Sequence, residues 1–159
     1  MSAPVTHAFS DPVYTTGPWA TWWRVWYRFV RLLGAPLTRL VLAHGFGNVV
    51  VMHVRGRHSG AERTVLLGLL SVKDKHYVGH PNGDTSWTLN LRDATSVRLT
   101  SKSLGTIRAR PVVLAPSPER DAVVRATFRQ HPFPGNAFYR LAADHVLGHG
   151  VFFRLDGPA

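Results

Sequence analysis

The stretch NVVVMHVRGRHSGAERTVLLGLLSV, residues 48–72, decides the fold. Its two ends, Asn48–Val54 and Arg63–Val72, are runs of β-branched and aliphatic residues, which is the composition typical of strands. Between them stands a polar loop, Gly56–Arg63, with two glycines and two arginines. We therefore predict two strands separated by a short basic loop.

The extended pattern continues from this stretch toward the C-terminus. Further strands are predicted at His76–Gly79, after a turn at Lys73–Asp74, at Ser96–Thr100 and Thr106–Ala115, which form a hairpin around Gly105, and at Gly150–Leu155. Six or so short strands with few helices predict a small barrel. The expected fold class is mainly β with flanking helices, that is, α+β.

Upstream of the strands, the spacing of apolar residues is helical. We predict an amphipathic helix over residues 19–33, ended by Gly34 and Pro36, and a second short apolar segment at Leu37–Ala43. The helix carries four of the five tryptophans on one face and three arginines on the other. The apolar face is Trp19, Trp22, Trp23, Trp26, Phe29, Val30 and Leu33, and the arginines are Arg24, Arg28 and Arg31. Such a helix suits a bilayer surface or packing over the barrel, and periodicity does not choose between them.

Three more helical segments follow within the strand region. Pro118–Gln130 is predicted as a helix, because Ser117 is a suitable N-cap and proline is favoured at the first helical position. Ser86–Arg92 is predicted as a short helix capped by Ser86, and Asn136–Asp144 as a helical turn.

The charge balance favours an anionic partner. The 159 residues contain 19 Lys plus Arg against 9 Asp plus Glu, a net charge of +10, and 16 of the cations are arginine. Arginine pairs with phosphate or carboxylate through two parallel hydrogen bonds. Nucleic acid, a phosphorylated cofactor and an acidic membrane all fit this balance. The alternative is that the excess of arginine reflects only solubility and biased codon use.

Cysteine is absent, which excludes disulfides, thiolate metal sites and cysteine nucleophiles. His76 and His80 are four residues apart but lie on a predicted strand, which separates them by about 13 Å. His145 and His149 have the same spacing next to glycines, where a helix is doubtful. We therefore expect no metal site. The first 17 residues contain no Lys or Arg and no apolar run reaches 18 residues, so we expect a cytoplasmic protein.

Two segments contain candidate functional residues. In Gly56–Arg63, glycines can turn consecutive N–H groups toward one point, which makes a phosphate cradle plausible; an ordinary basic hairpin loop is the alternative. The second segment is HPNGDTSWTLNL, residues 80–91. There Trp87 offers a stacking surface and Asn90 an amide on the same helix face. The alternative is that Trp87 packs in the core and Asn90 hydrogen-bonds to the backbone.

Together these segments, with the pattern G-R-x-S-G-x-x-R followed by a strand, a turn and W-x-x-N-L, resemble the deazaflavin-dependent nitroreductase family. The resemblance covers residues 48–155. It implies a split β-barrel of the FMN- and F420-binding type that reduces a quinone, enone or nitro compound with coenzyme F420, whose phosphodiester and oligoglutamate tail is a polyanion. FMN on the same fold is the close variant.

The resemblance also implies roles for individual residues. Tyr139 matches the segment that lines the acceptor pocket, and it is a candidate proton donor. The tail would be held by Arg57, His58, Ser59, Gly60 and Arg63; the ring would lie beside His80, Pro81, Asn82 and Gly83, with Trp87 and Asn90 bracing that loop.

These expectations divide the chain into a flexible tail at 1–18, an amphipathic helical segment at 19–47 and a cofactor-binding split-barrel domain at 48–159. Two other function classes stay open, namely a basic nucleic-acid-binding module and a cofactor-binding protein without turnover. A monomer and a homodimer both fit. Peripheral contact with the inner face of the cell membrane through Trp19–Leu33 is the further prediction about partners.

Overall fold

The computed structural model describes residues 16–157. Most of the predicted tail at 1–18 therefore lies outside the described residues. The elements in chain order are α1 (Pro18–Leu32), α2 (Gly34–His44), β1 (Val49–Arg55), β2 (Glu62–Gly68), β3 (Leu70–Val72), β4 (Lys75–His80), α3 (Ser86–Asp93), β5 (Val97–Ser101), β6 (Gly105–Val113), α4 (Pro118–Gln130), α5 (Gly135–Leu141), α6 (Ala143–His149) and β7 (Val151–Asp156).

The seven strands form one antiparallel sheet in the order β2-β1-β5-β6-β7-β4-β3. The β1–β2 hairpin pairs Met52 with Val65 and is closed by the Gly56–Arg63 loop. The sheet curls into a half-barrel, with α3 against β1 and α4 against β3. The predicted class, mainly β with flanking helices, is confirmed.

Two apolar clusters hold the fold together. One lies inside the half-barrel and includes Met52, Leu91, Leu99 and Phe153, all of which are buried. The other lies between the sheet and the helices, where Trp23 of α1 packs in a cluster with residues of α4, α5, α6 and β7. The first helix is therefore docked on the barrel side through its inner face.

The strand predicted over Arg63–Val72 is wrong in one respect, because it is two strands. Leu69 lies between β2 and β3, and its N–H donates to the carbonyl of Asn48 at 2.8 Å while the Asn48 amide donates back to the Leu69 carbonyl at 3.0 Å. These bonds hold Leu69 beside the start of β1, and the chain then leaves to pair with β4 as β3. At Gly68, the last residue of β2, an added Cβ would lie 2.2 Å from the His131 ring, so a larger residue would have to displace that ring.

Three helix predictions need correction. Gly34 and Pro36 do not simply end the first helix: they lie in the first turn of α2, where an N–H has no partner within the helix and proline costs little. Thr85, not Ser86, is the N-cap of α3, and its N–H donates to the Thr88 hydroxyl at 2.8 Å. His145 lies in a true helix, α6, despite the glycines nearby.

The apolar face predicted for the first helix is covered only in part. Trp23 is fully buried, whereas Trp22 and Phe29, toward the other edge of the same face, are exposed. The fold therefore covers one side of a broad apolar face. Among the described residues, none of the helices combines the length and the apolar character that spanning a bilayer requires.

Candidate functional site

The predicted cradle is a tight turn between β1 and β2. The Gly56 N–H donates to the Ala61 carbonyl at 2.8 Å, and the Gly60 N–H donates to the Gly56 carbonyl at 2.8 Å. Gly60 has φ +67, a conformation that favours glycine. An added Cβ at Gly56 would lie 2.8 Å from the Ser59 hydroxyl. The backbone thus favours glycine at Gly60, whereas a Cβ at Gly56 would have to displace the Ser59 hydroxyl. His58 and Ser59 are exposed at the tip.

Arg57 ties this turn to α3. Its N–H donates to Asn90 Oδ1 at 3.1 Å, and its Nη1 lies 3.2 Å from both Asn90 Oδ1 and the Ser86 carbonyl. Arg63 folds toward the base of the turn, with Nε 3.6 Å from the position of a Cβ on Gly56. The loop and the Trp87 helix, predicted together from two distant segments, do lie side by side. Asn90 serves here to hold Arg57 and its backbone.

The segment predicted to face the ring is buried. His80 is 5% exposed and Asn82 is 8% exposed. His80 Nδ1 lies 3.2 Å from both the Gly83 carbonyl and the Asn82 N–H. Burial lowers the pKa of His80 to about 4, so the imidazole is neutral at pH 7. Pro81 and Gly83 are buried with them.

Helix α1 covers the segment of residues 80–83. The Asn82 amide donates to the Ala20 carbonyl at 3.3 Å, and the Tyr27 ring lies 4.7 Å from the His80 ring, centroid to centroid. Trp23 is fully buried in the same layer, and its Nε1 has no hydrogen-bond partner among residues 16–157. In this conformation a tricyclic ring does not reach His80 from the α1 side.

Tyr139 lies in the same buried layer. Its hydroxyl is 3.4 Å from the Tyr27 hydroxyl, and the His131 ring is 4.7 Å from its own ring. Burial raises the pKa of Tyr27 to about 12 and that of Tyr139 well above its ordinary value. Burial also lowers the pKa of His131 to about 4. Both hydroxyls therefore keep their protons at neutral pH, and both imidazoles stay neutral.

A continuous path of contacts joins the predicted residues. His80 lies 6.2 Å from the Trp87 ring on one side and touches Tyr27 on the other, and Tyr27 meets Tyr139. Sequence reasoning missed Tyr27 and His131. Tyr27 was hidden among the tryptophans of the first helix, and His131, which follows α4, stands in no motif.

Further candidate features are a histidine pair on α6, whose His145 Nε2 lies 2.8 Å from Asn82 Oδ1, and two surface clefts. His145 and His149 have ring centroids 4.7 Å apart on α6, but in residues 16–157 no three His, Cys, Asp or Glu side chains group as metal ligands. Two surface clefts, of about 300 and about 540 Å³, are lined by residues of β4, β6 and β7 and by the α2–β1 and β5–β6 connections. Neither is lined by a predicted site residue.

Solved structures share this architecture. An F420-H2 dependent reductase (FDR-A) is 17% identical over 69% of this chain and 94% of that chain, with a TM-score of 0.53. HutZ, the heme storage protein from Vibrio cholerae, is 12% identical over 79% of this chain and 90% of that chain, at 0.52. The fold is a split β-barrel.

A third similar structure is described only as a domain-swapped dimer. It is 18% identical over 84% of this chain and 97% of that chain, with a TM-score of 0.52. No protein-family model and no curated protein sequence matches the chain. At these identities the likeness shows the split barrel, and the site has to be argued from its own residues.

Proposed function

We propose that this protein is an F420H2-dependent reductase that passes a hydride to a quinone, enone or nitro acceptor. The observation that carries the proposal is the contact between two separate segments, the Gly56–Arg63 turn and the Trp87–Asn90 face of α3, through Arg57. The FDR-A structure supports it as a reductase with the same fold. FMN is the alternative cofactor.

The turn fits the anionic tail of such a cofactor. Its tip exposes His58 and Ser59, Arg63 is exposed on the strand that follows, and arginine is a suitable partner for phosphate. Arg57, His58, Ser59, Gly60 and Arg63 would hold the phosphate and the carboxylates that follow. Trp87 and Asn90, which lie on α3, would fix the turn to that helix. The tail residues therefore fit the group as they stand.

The ring end requires a rearrangement. When bound, the deazaflavin supplies the hydride. His80, Pro81, Asn82 and Gly83 would line the ring, and α1 would have to shift from them, breaking the Asn82–Ala20 hydrogen bond and the Tyr27–His80 contact. The same shift would bring Tyr139 within reach of an acceptor. In the closed conformation burial raises the pKa of Tyr139, so its hydroxyl carries a proton before the shift, and uncovering it would make that proton easier to donate.

Ligand titration tests the proposal. We expect the full chain to bind F420 in calorimetry at fixed salt, and to bind FMN and single-stranded DNA more weakly. Arg63→Gln should lower F420 affinity by roughly tenfold to a hundredfold, the range for one charge-assisted hydrogen bond. Arg108→Gln, at an exposed arginine of β6, makes the same charge change away from the turn and serves as the control. Salt-steep DNA binding without F420 binding would instead establish the nucleic-acid module.

Turnover separates an enzyme from a passive binder. We expect oxidation of F420H2 by menadione, and Tyr139→Phe should lower kcat while leaving F420 affinity unchanged. An unchanged kcat across pH would remove Tyr139 from proton delivery. Binding without oxidation of F420H2 would leave a cofactor-binding protein. Sedimentation equilibrium of the same samples distinguishes monomer from homodimer, for which the domain-swapped structure is a precedent.

A further inference from the structure

Two hydrogen bonds through the Asn82 side chain join α6 to α1. On one side, His145 Nε2 lies 2.8 Å from Asn82 Oδ1. On the other side, Asn82 Nδ2 donates to the Ala20 carbonyl at 3.3 Å. Asn82 is 8% exposed, so its carboxamide is largely shielded from water. The carboxamide is therefore held both at its oxygen and at its nitrogen.

The direction of each hydrogen bond follows from the chemistry of the groups. A backbone carbonyl only accepts, so the atom of Asn82 that faces Ala20 is the amide nitrogen. The carboxamide oxygen then faces His145, and because this oxygen also only accepts, Nε2 of His145 carries the hydrogen. Burial and, after it, the neighbouring His149 lower the pKa of His145, so its ring is neutral at neutral pH. The hydrogen on Nε2 is then the only one on the ring nitrogens.

His145 stands on a helix that is tied to the sheet. The Arg120 guanidinium donates to the Leu147 carbonyl at 2.8 Å and to the Gly150 carbonyl at 2.6 Å, and β7 follows directly. Helix α1, by contrast, would have to shift for a ring to reach residues 80–83 in the proposed function. The hydrogen bond from α6 to the carboxamide would therefore remain when the one to α1 breaks.

We propose that His145 is a positioning residue that fixes the Asn82 carboxamide as a hydrogen-bond donor toward the cofactor ring. The inference rests on the proposed function and deepens it. With Oδ1 held by His145, the carboxamide directs the N–H that it gives to Ala20 into the space that α1 leaves. A carbonyl oxygen of the ring can accept this N–H, whereas a ring N–H would meet a second donor. Asn82 thereby selects which edge of the ring faces it.

A purely structural role of His145 predicts the opposite effect on cofactor affinity. If the bond served only to hold Asn82 against Ala20, it would stabilise the closed position of α1. Its removal would then ease the opening that ring binding requires, and the apparent affinity would rise. In the positioning role, removal lets the carboxamide turn its oxygen toward the ring, and the affinity falls. The sign of the change distinguishes the two roles.

Two matched substitutions of His145 test the proposal in calorimetry with F420. Glutamine can place its amide nitrogen near the position of Nε2, whereas the shorter asparagine reaches only the position of Nδ1. We expect His145→Gln to bind F420 like the unchanged chain, and His145→Asn to bind about threefold to tenfold more weakly, the effect of one neutral hydrogen bond. His149→Gln, at the exposed histidine one turn further along α6, is the control and should leave the affinity unchanged. Equal or higher affinity in His145→Asn would overturn the proposal.

A second measurement needs no cofactor. Heteronuclear NMR spectra of the histidine rings of the full chain at neutral pH should show the His145 hydrogen on Nε2. A hydrogen on Nδ1 alone would refute the assigned direction of the bond and the proposal with it.

A double substitution tests whether His145 acts through Asn82. In an Asn82→Ala background, His145→Asn should no longer change the F420 affinity, and a further loss there would contradict the proposal. If the unchanged chain binds neither F420 nor FMN, the proposed function fails and the role toward the ring fails with it. If F420 binds equally well to the unchanged chain and to His145→Asn, only the positioning role is refuted.

Discussion

Acidification should destabilise this protein through His80. The side chain is 5% exposed between the Tyr27 and Trp87 rings, and burial lowers its pKa from 6.5 to about 4. At pH 7.5 the imidazole is neutral in both the folded and the unfolded chain, so it has no effect on the pH dependence there. Below pH 6.5 His80 binds a proton in the unfolded chain, whereas in the folded chain it binds one only when the pH reaches about 4. The free energy of unfolding therefore falls as the pH falls through this window.

The size of the effect follows from the two pKa values. Between pH 7.5 and pH 5 His80 alone should lower the free energy of unfolding by about 2 kcal/mol, and by about 3 kcal/mol once the pH is below 4. His131, whose pKa burial also lowers to about 4, adds a loss of the same sign over the same window. A single domain is stable by about 5–15 kcal/mol, so these losses are a large share of the total.

Urea denaturation at pH 7.5 and pH 5, followed by tryptophan fluorescence, measures the effect. In His80→Gln the difference in unfolding free energy between the two pH values should be smaller by about 2 kcal/mol. Lost ring contacts lower stability equally at both pH values and so cancel. His44→Gln, at an exposed histidine of α2, controls for histidine removal itself. An identical pH dependence in His80→Gln and the unchanged chain would refute the burial argument.

Three substitutions test the packing that positions the site. Gly79→Ala should lower stability by at least about 1–3 kcal/mol in urea denaturation, because the new Cβ would lie 2.2 Å from the buried Phe152 ring. Ser117→Ala should cost about 1 kcal/mol in the same assay, because the hydroxyl accepts the Arg120 N–H at the start of α4. Arg120→Met should cost about 2–4 kcal/mol, because the buried guanidinium donates to two backbone carbonyls at the end of α6. A loss under 0.5 kcal/mol for any of the three would show that the contact concerned does not hold the helices to the sheet.

Most of the strands could be predicted because each is a local pattern. β1, β4, β5, β6 and β7 follow from short runs of β-branched, aromatic and other apolar residues bounded by turn residues, and the Ser117–Pro118 cap locates α4. The break at Leu69 could not be predicted, since it depends on hydrogen bonds to Asn48, 21 residues away. The strand order is likewise a property of long-range pairing that no local pattern contains.

In the candidate site, too, some features were predicted and others depend on long-range contacts. The juxtaposition of the Gly56–Arg63 turn with the Trp87 helix was predicted through the family resemblance, and the Arg57–Asn90 contacts now place the two side by side. The burial of His80 was not foreseen. Helical periodicity identified α1 as amphipathic and placed Trp22 and Trp23 on one broad apolar face, but it does not say which edge of that face the fold covers.

Helix α1 covers the segment that the proposed function assigns to the cofactor ring. The inner face holds the His80 segment closed through the Asn82–Ala20 hydrogen bond and the Tyr27 ring. For a ring to reach His80 as proposed, α1 would therefore have to move. Among the described residues, α1 also meets the rest of the fold through the Tyr27–Tyr139 hydroxyl contact and the buried aromatic cluster around Trp23. The proposed opening would break these contacts, while the strand pairs of the sheet, which do not involve α1, would stay in place.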